Sequence, residues 1–276
     1  MGDDGTEPLI PNGLDASLVL VRHGESEFIV EGRFQGRAET PLSTIGLRQA
    51  ERVAGRLARP HASPALPVPT GPPLEIVHSP LMRAAQTAES IGRAMGDEGA
   101  FGHQVATQPE AGLLEIGQGE WEGLRRSEVE KRWGDVLATW RRRPLEAWAP
   151  GGEAIPDVAS RLRPAIRGIL SRLAARGVPG SFDRPQVAGY LEPPVGQPWS
   201  ILVGHDGVFK VLMLTLFDLP LDKFWMWSFD LCGIVVIEFR AGRPVVRAMN
   251  LTEHLAPLLD EAAHEASLER QRSGAL

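Results

Sequence analysis

Only one cysteine, Cys232, occurs in the 276 residues, and that scarcity excludes an intramolecular disulfide framework. The chain also lacks the clustered Cys/His spacing of a structural zinc site, so Cys232 is expected as a buried, chemically inert thiol. No run of about 20 apolar residues appears, which argues against a membrane span. Basic residues are in the minority: 29 Lys and Arg face 35 Asp and Glu, for a formal net charge of −6. That balance argues against general nucleic-acid binding while leaving room for a local basic pocket. The first residues, Met1 to Ala16, have neither the basic start nor the apolar stretch that export requires. They are acidic and rich in Gly and Pro, and a flexible leader is expected there. The expected compartment is the cytoplasm.

What is present is enough apolar material, 43% of residues, to bury a large core without disulfides or metal. The order reads strand 17–22, helix 46–59, strand 74–78, helix 81–95, helical material between Ser127 and Leu173, and strand 200–204. A helix from Val208 to Leu219 follows, then strands at Ile234–Phe239 and Val245–Ala248 and a charged helix over 257–272. Alternation of this kind predicts an α/β fold: three layers, a doubly wound, mostly parallel sheet with helices on both faces. Leu47, Ala50, Ala54, Leu57 and Ala58 recur at helical spacing, as do Val158, Leu162, Ile166, Ile169 and Leu173, and both sets read as core faces. Pro60 to Pro73 and Val178 to Pro198 read as surface loops.

Two apolar strands each end in a histidine with glycine close behind: Leu18-Val19-Leu20-Val21-Arg22-His23-Gly24 and Ile201-Leu202-Val203-Gly204-His205-Asp206-Gly207. Ligands of open α/β sheets sit beyond the carboxyl ends of the strands, so both imidazoles can face one site. Phosphate suits it, since Arg22 offers a forked donor set, His23 a nucleophile or base, and Gly24 a close backbone approach. Taken alone, Arg-His-Gly reads more readily as a turn with a solvated arginine and a locally bonded histidine. A third strand, Leu74–Val77, runs into His78-Ser79-Pro80-Leu81-Met82-Arg83-Ala84, where Pro80 suits a helix start and Arg83 falls in its first turn, near N–H groups that favour anions.

Arg22-His23-Gly24-Glu25-Ser26, Phe34-Gln35-Gly36-Arg37 with Pro41-Leu42-Ser43, Ser79-Pro80-Leu81-Met82-Arg83-Ala84 and Gly204-His205-Asp206-Gly207 together resemble the histidine phosphatase superfamily. The resemblance spans roughly 17–250. It implies one domain over 17–256, with a small helical cap inserted at about 116–156 and a terminal helix or tail at 257–276. It further implies that His23 attacks phosphorus and that water then hydrolyses the phosphoenzyme. Arg22, Arg83 and His205 would hold the equatorial oxygens, with Ser26, Gln35, Gly36 and Asp206 as further substrate-binding positions. Neither a metal nor another cofactor is implied, and the substrate is a small phosphate ester. A second copy of the chain is kept as a candidate partner.

An alkoxide leaves poorly, so an acid is needed. Leu113-Leu114-Glu115-Ile116-Gly117-Gln118-Gly119-Glu120-Trp121-Glu122-Gly123 resembles the family segment whose first glutamate donates the proton, which selects Glu115; Glu120 and Glu122 read as structural. Asp206 is the rival, since distantly related acid phosphatases use an aspartate after their second histidine. One departure is Ile29, at a place where the family usually carries a phosphoryl-contacting asparagine; Gln35 or Ser26 can make it good. The absence of a long insertion after Glu115, and Pro150-Gly151-Gly152-Glu153, favour the phosphatase branch over the mutases. Substrate choice is expected in the cap, among Trp133, Trp140, Trp148, Arg125, Arg126, Lys131, Arg132 and Arg141 to Arg143. Three alternatives stay open: a cofactor-dependent phosphoglycerate mutase, a catalytically silent phospho-ligand binding protein, and a metal phosphohydrolase built on His205-Asp206.

Overall fold

Strand β1 (Ala16–Arg22) sends alternate side chains to opposite faces: Leu18 and Leu20 join one buried cluster, Val19 and Val21 the other. That alternation divides the molecule into layers. The computed structural model describes residues 8–97, 101, 105–177, 186–187, 190–191 and 195–262. After β1 come the short helix α1 (Glu27–Val30), α2 (Thr44–Ala58), β2 (Ile76–His78), α3 (Met82–Asp97), β3 (Thr107–Pro109), α4 (Arg126–Arg142) and α5 (Ile155–Ala174). The two-residue strands β4 (Gln186–Val187) and β5 (Tyr190–Leu191) pair only with each other, and β6 (Trp199–Gly204), α6 (Asp206–Leu216), β7 (Ile234–Arg240) and β8 (Arg243–Leu251) complete the order.

The main sheet runs β3-β2-β6-β1-β7-β8. Its first three pairings are parallel, and β7 and β8 extend it antiparallel. Helices α5 and α6 cover one face, where Val158, Leu162, Ile166, Ile169 and Leu173 meet Leu18, Leu20 and Leu202; α2 and α3 cover the other, where Val53, Leu57, Ala88 and Ile91 meet Val19, Val21 and Ile201. Each such Val, Leu or Ile side chain taken fully out of water contributes about 1.5–3 kcal/mol before entropy is charged against it. Around α4, Trp121, Val129, Leu137 and Ala149 form a small separate cluster with Phe34 and Trp140. None of the described helices is long and apolar enough to cross a membrane.

Several expectations need correction. Leu47 is 44% exposed, because the buried stripe of α2 runs through Val53 instead. Within the expected leader, Leu9 and Leu14 are buried in the main core, so the chain is anchored there well before Ala16. The proline-dense loop 60–73 is not wholly superficial, since Leu66 and Val68 tuck under the sheet. β3 has no counterpart in the order expected from the sequence, and much of Val178–Pro198 lies outside the described residues. So does the terminal helix beyond residue 262, while 256–262 are helical.

Candidate active site

The neighbouring parallel strands β2, β6 and β1 all end at one edge of the sheet, and their register forces their last side chains together. Arg22 pairs with Gly204, and His78 with Val203. Just beyond, the His23 N–H donates to Gly204 O at 3.0 Å and the Ser79 N–H to Val203 O at 2.9 Å. His23 and His205 therefore stand edge to face, ring centroids 5.0 Å apart.

The hydrogen bonds fix where the protons are. His23 Nδ1 lies 2.6 Å from the carbonyl oxygen of Gly24, which can only accept, so Nδ1 carries hydrogen and the neutral ring keeps its lone pair on Nε2. Burial first, then the charges of Arg83 and Arg22, push the pKa of His23 well below the usual histidine value. Ser79 Oγ accepts the Leu81 N–H and sits 2.8 Å from His205 Nε2, which is the one acceptor its hydroxyl has among the described residues, so the hydroxyl donates to that nitrogen. His205 then holds its own hydrogen on Nδ1, a buried atom without a protein partner. Arg22 Nε and Arg83 Nε are buried and unpartnered as well. A buried donor left unpaired costs about 1–3 kcal/mol, and an anion with several oxygens bound at these strand ends would offer acceptors to all three.

Arg83, in the first turn of α3, is wholly buried. Its Nη1 donates to Ala38 O at 3.0 Å and its Nη2 to Gly36 O at 2.8 Å. Burial lowers its pKa to about 10 despite Glu115, Glu39 and Glu122, which leaves it cationic at neutral pH. Gly36 thus acts on the site through its carbonyl. Its φ of +50° and an approach to Glu122 Oε1 that would put a Cβ at 2.2 Å exclude a larger residue. Arg22 Nη1 donates to Phe229 O at 2.6 Å. The close approach allowed by Gly24 is used against the backbone of Gly46 in α2, where a Cβ would lie 2.5 Å from its oxygen.

Glu115 reaches the start of α6. Its Oε1 accepts from Ile116 N–H (2.8 Å) and Val208 N–H (3.0 Å), and its Oε2 from Gly207 N–H (3.1 Å). Burial outweighs those donors and raises its pKa, with the charge of Asp206 adding to the rise. With both lone pairs of Oε1 engaged, Oε2 is the oxygen with room for a proton when the carboxyl is protonated. Asp206 is occupied differently: Oδ2 pairs with Lys210 Nζ at 2.6 Å and Oδ1 accepts the Phe229 N–H at 3.3 Å. Ser26 Oγ accepts the Ile29 N–H and donates to Gln35 Oε1 at 2.6 Å, which turns the Gln35 amide so that its Nε2 has no protein partner among the described residues. Ile29 itself sits in α1 and offers no polar side-chain atom.

Sequence reading missed the frame behind Glu115. Arg161 of α5 binds Glu153 with a two-pronged contact, Nε to Oε1 at 2.8 Å and Nη2 to Oε2 at 3.0 Å, and also takes the carbonyls of Gly112, Leu114 and Glu115. Against the burial that opposes its charge, Arg161, Gly117 N–H and Arg37 hold Glu153 below the usual carboxylate pKa. Glu122 is structural, its Oε1 accepting from Arg37 N–H and Gln118 N–H. Several cations of the expected cap are paired or stacked: Arg126 with Glu130, Arg143 with Glu146, Arg132 over Trp133. His78 and His254 bond backbone carbonyls, and burial pushes the Cys232 thiol pKa up. Among the described residues no group of three or more His, Cys, Asp or Glu could hold a metal ion.

The two buried histidines make a stability prediction. Their folded pKa values lie below the unfolded value of about 6.5, so as pH falls below that value the unfolded chain takes up protons the fold refuses. Each costs up to about 1.4 kcal/mol per pH unit until its folded pKa is reached. Thermal unfolding at pH 7 and 5.5 should show Tm falling with acid, and His205→Asn should flatten that dependence. An unchanged pH dependence in the variant would contradict the protonation states derived above.

The profile of the histidine phosphatase superfamily (branch 1) matches residues 18–178 and 192–252. The chain is 28% identical to phosphoserine phosphatase 1 of Hydrogenobacter thermophilus, over 90% of this chain and 98% of that one. It is 32% identical to a glucosyl-3-phosphoglycerate phosphatase of Mycolicibacterium vanbaalenii, over 75% and 76% of the two chains. Among solved structures, a mycobacterial glucosyl-3-phosphoglycerate phosphatase in complex with VO3 superposes with a TM-score of 0.65 at 25% identity, over 86% of this chain and 99% of that one.

Proposed function

The chain belongs to the histidine phosphatase superfamily and is a phosphatase; we propose that it hydrolyses small phosphate monoesters through a phosphohistidine formed on His23. His23 Nε2 attacks phosphorus in line with the ester oxygen, the N–P bond forms as the P–O bond breaks, and Glu115 Oε2 passes its proton to the departing alkoxide. Water then attacks phosphorus and gives a proton to Glu115, and N–P cleavage returns His23 with orthophosphate. Arg22, Arg83 and His205 Nδ1 stabilise charge on the three equatorial oxygens, the main task in phosphoryl transfer. Gln35, turned by Ser26, supplies the amide donor that Ile29 lacks. Asp206, with both oxygens engaged, holds the wall of the site through Lys210 and Phe229.

The observation that carries this reading is the meeting of a buried, neutral, Nε2-free His23 with three unpartnered N–H donors on Arg22, Arg83 and His205. Substrates should be small metabolites; the names of the relatives make phosphoserine and glucosyl-3-phosphoglycerate the first to try. The test is a panel of phosphate esters assayed for released phosphate with excess chelator. The expected result is one phosphate released per ester consumed, with no need for a bisphosphorylated primer. Activity that vanishes in chelator, or phosphate retained on an isomerised product, would overturn hydrolysis by this route.

A further inference from the structure

We propose that Arg161, acting with Glu153 and Arg37, is a positioning residue for the proton donor. This rests on the reading of Glu115 as that donor. The carboxyl of Glu115 hangs from a stretch of chain, Gly112 to Gln118, whose only regular structure is a single 3-10 turn at Ala111–Leu113. Such backbone holds a side chain to catalytic tolerance only if its peptide groups are fixed from outside. Arg161 does so directly: Nη1 donates to Gly112 O at 2.9 Å, and Nη2 to Leu114 O at 2.9 Å and Glu115 O at 3.1 Å.

The guanidinium is itself held. Glu153 fixes it by the two-pronged contact and ties the far end of the same stretch, accepting the Gly117 N–H at 3.2 Å while its own N–H donates to Gly117 O at 2.8 Å. Arg37 closes the frame, its Nη2 on Glu153 Oε1 at 2.8 Å and its Nε on Glu115 O at 3.3 Å. Packing adds a stop on the same side: a Cβ on Gly112 would meet Ala165 of α5 at 2.3 Å, so the turn lies tight against the helix that carries Arg161. A planar fork can span a carboxylate and a row of carbonyls together, and a lysine ammonium cannot.

The experiment compares Arg161→Lys and Arg37→Gln with wild type by kcat/KM on p-nitrophenyl phosphate and on an alkyl phosphate. kcat/KM covers steps up to release of the leaving group, so it omits the later attack of water. A phenolate departs without a proton and an alkoxide does not, so a displaced acid penalises only the alkyl ester. Arg161→Lys should lower the alkyl value by about 10- to 100-fold, as expected for an acid displaced by about 1 Å. The aryl value should fall by less than about 3-fold, and Arg37→Gln should show a smaller split of the same sign. Equal losses on both esters would mean a merely structural residue, and no loss on either would mean no role; each overturns the proposal. Glu115→Gln is run in parallel: if it shows no split, the assignment of the acid fails, whereas a split there without one in Arg161→Lys or Arg37→Gln sinks the positioning role alone.

Discussion

Replacing His23 by alanine should lower phosphate release from every monoester by about 10⁴-fold or more, with KM nearly unchanged. The size follows from the lack, among the described residues, of a free substitute nucleophile at these strand ends. The Ser79 hydroxyl is committed to His205, both lone pairs of Glu115 Oε1 are engaged, and Asp206 is tied to Lys210 and Phe229. The donors proposed to hold the phosphoryl oxygens, on Arg22, Arg83 and His205, survive the substitution, so binding should too. Steady-state assays with equilibrium phosphate binding check both halves. A variant that keeps a tenth of wild-type turnover would remove His23 from the chemistry.

Glu115→Gln should divide substrates by leaving group, lowering kcat/KM for alkyl phosphates by about 10²- to 10⁴-fold and for p-nitrophenyl phosphate far less. The amide can still accept the Ile116 and Val208 N–H groups through its oxygen, but its nitrogen would face the Gly207 N–H and lose that bond. The resulting cost of about 1–3 kcal/mol is within reach of a folded protein. The pH profile supplies a second readout. Because burial raises the pKa of Glu115, wild-type turnover of an alkyl ester should fall as pH climbs through that raised value and the proposed acid loses its proton. The amide variant should lack this basic limb. Asp206→Asn is the control, and if it reproduces the leaving-group split while Glu115→Gln does not, the two carboxylates have been assigned the wrong way round.

What the sequence made legible is what repeats or runs. The alternation of Leu18 to Val21 and the stripe from Val158 to Leu173 announce strand and helix because burial on fixed faces leaves a period. β3 left none: Thr107, Gln108 and Pro109 are three exposed residues, too few and too polar for an alternation to show. The candidate centre was largely readable because Arg22, His23 and His205 stand at the ends of β1 and β6 and Arg83 soon after β2, so order along the chain maps to neighbours in space. The frame behind Glu115 was not, since Arg37 and Glu153 are 116 residues apart and charged residues in a polar stretch look solvated until the fold joins them. The pairing of Asp206 with Lys210 did leave a signal, a carboxylate four residues before an ammonium in one helix turn. That spacing weakens Asp206 as an acid.

The central claim is that a phosphoryl group rests covalently on His23 during turnover, and rapid quenching tests it most directly. Enzyme mixed with ³²P-labelled ester and quenched in alkali within the first turnovers should carry label that is stable to base and labile to acid. Peptide mapping should place it on His23, and His23→Ala should carry none. Label on another residue, or full turnover with no labelled protein at any time point, would contradict the mechanism.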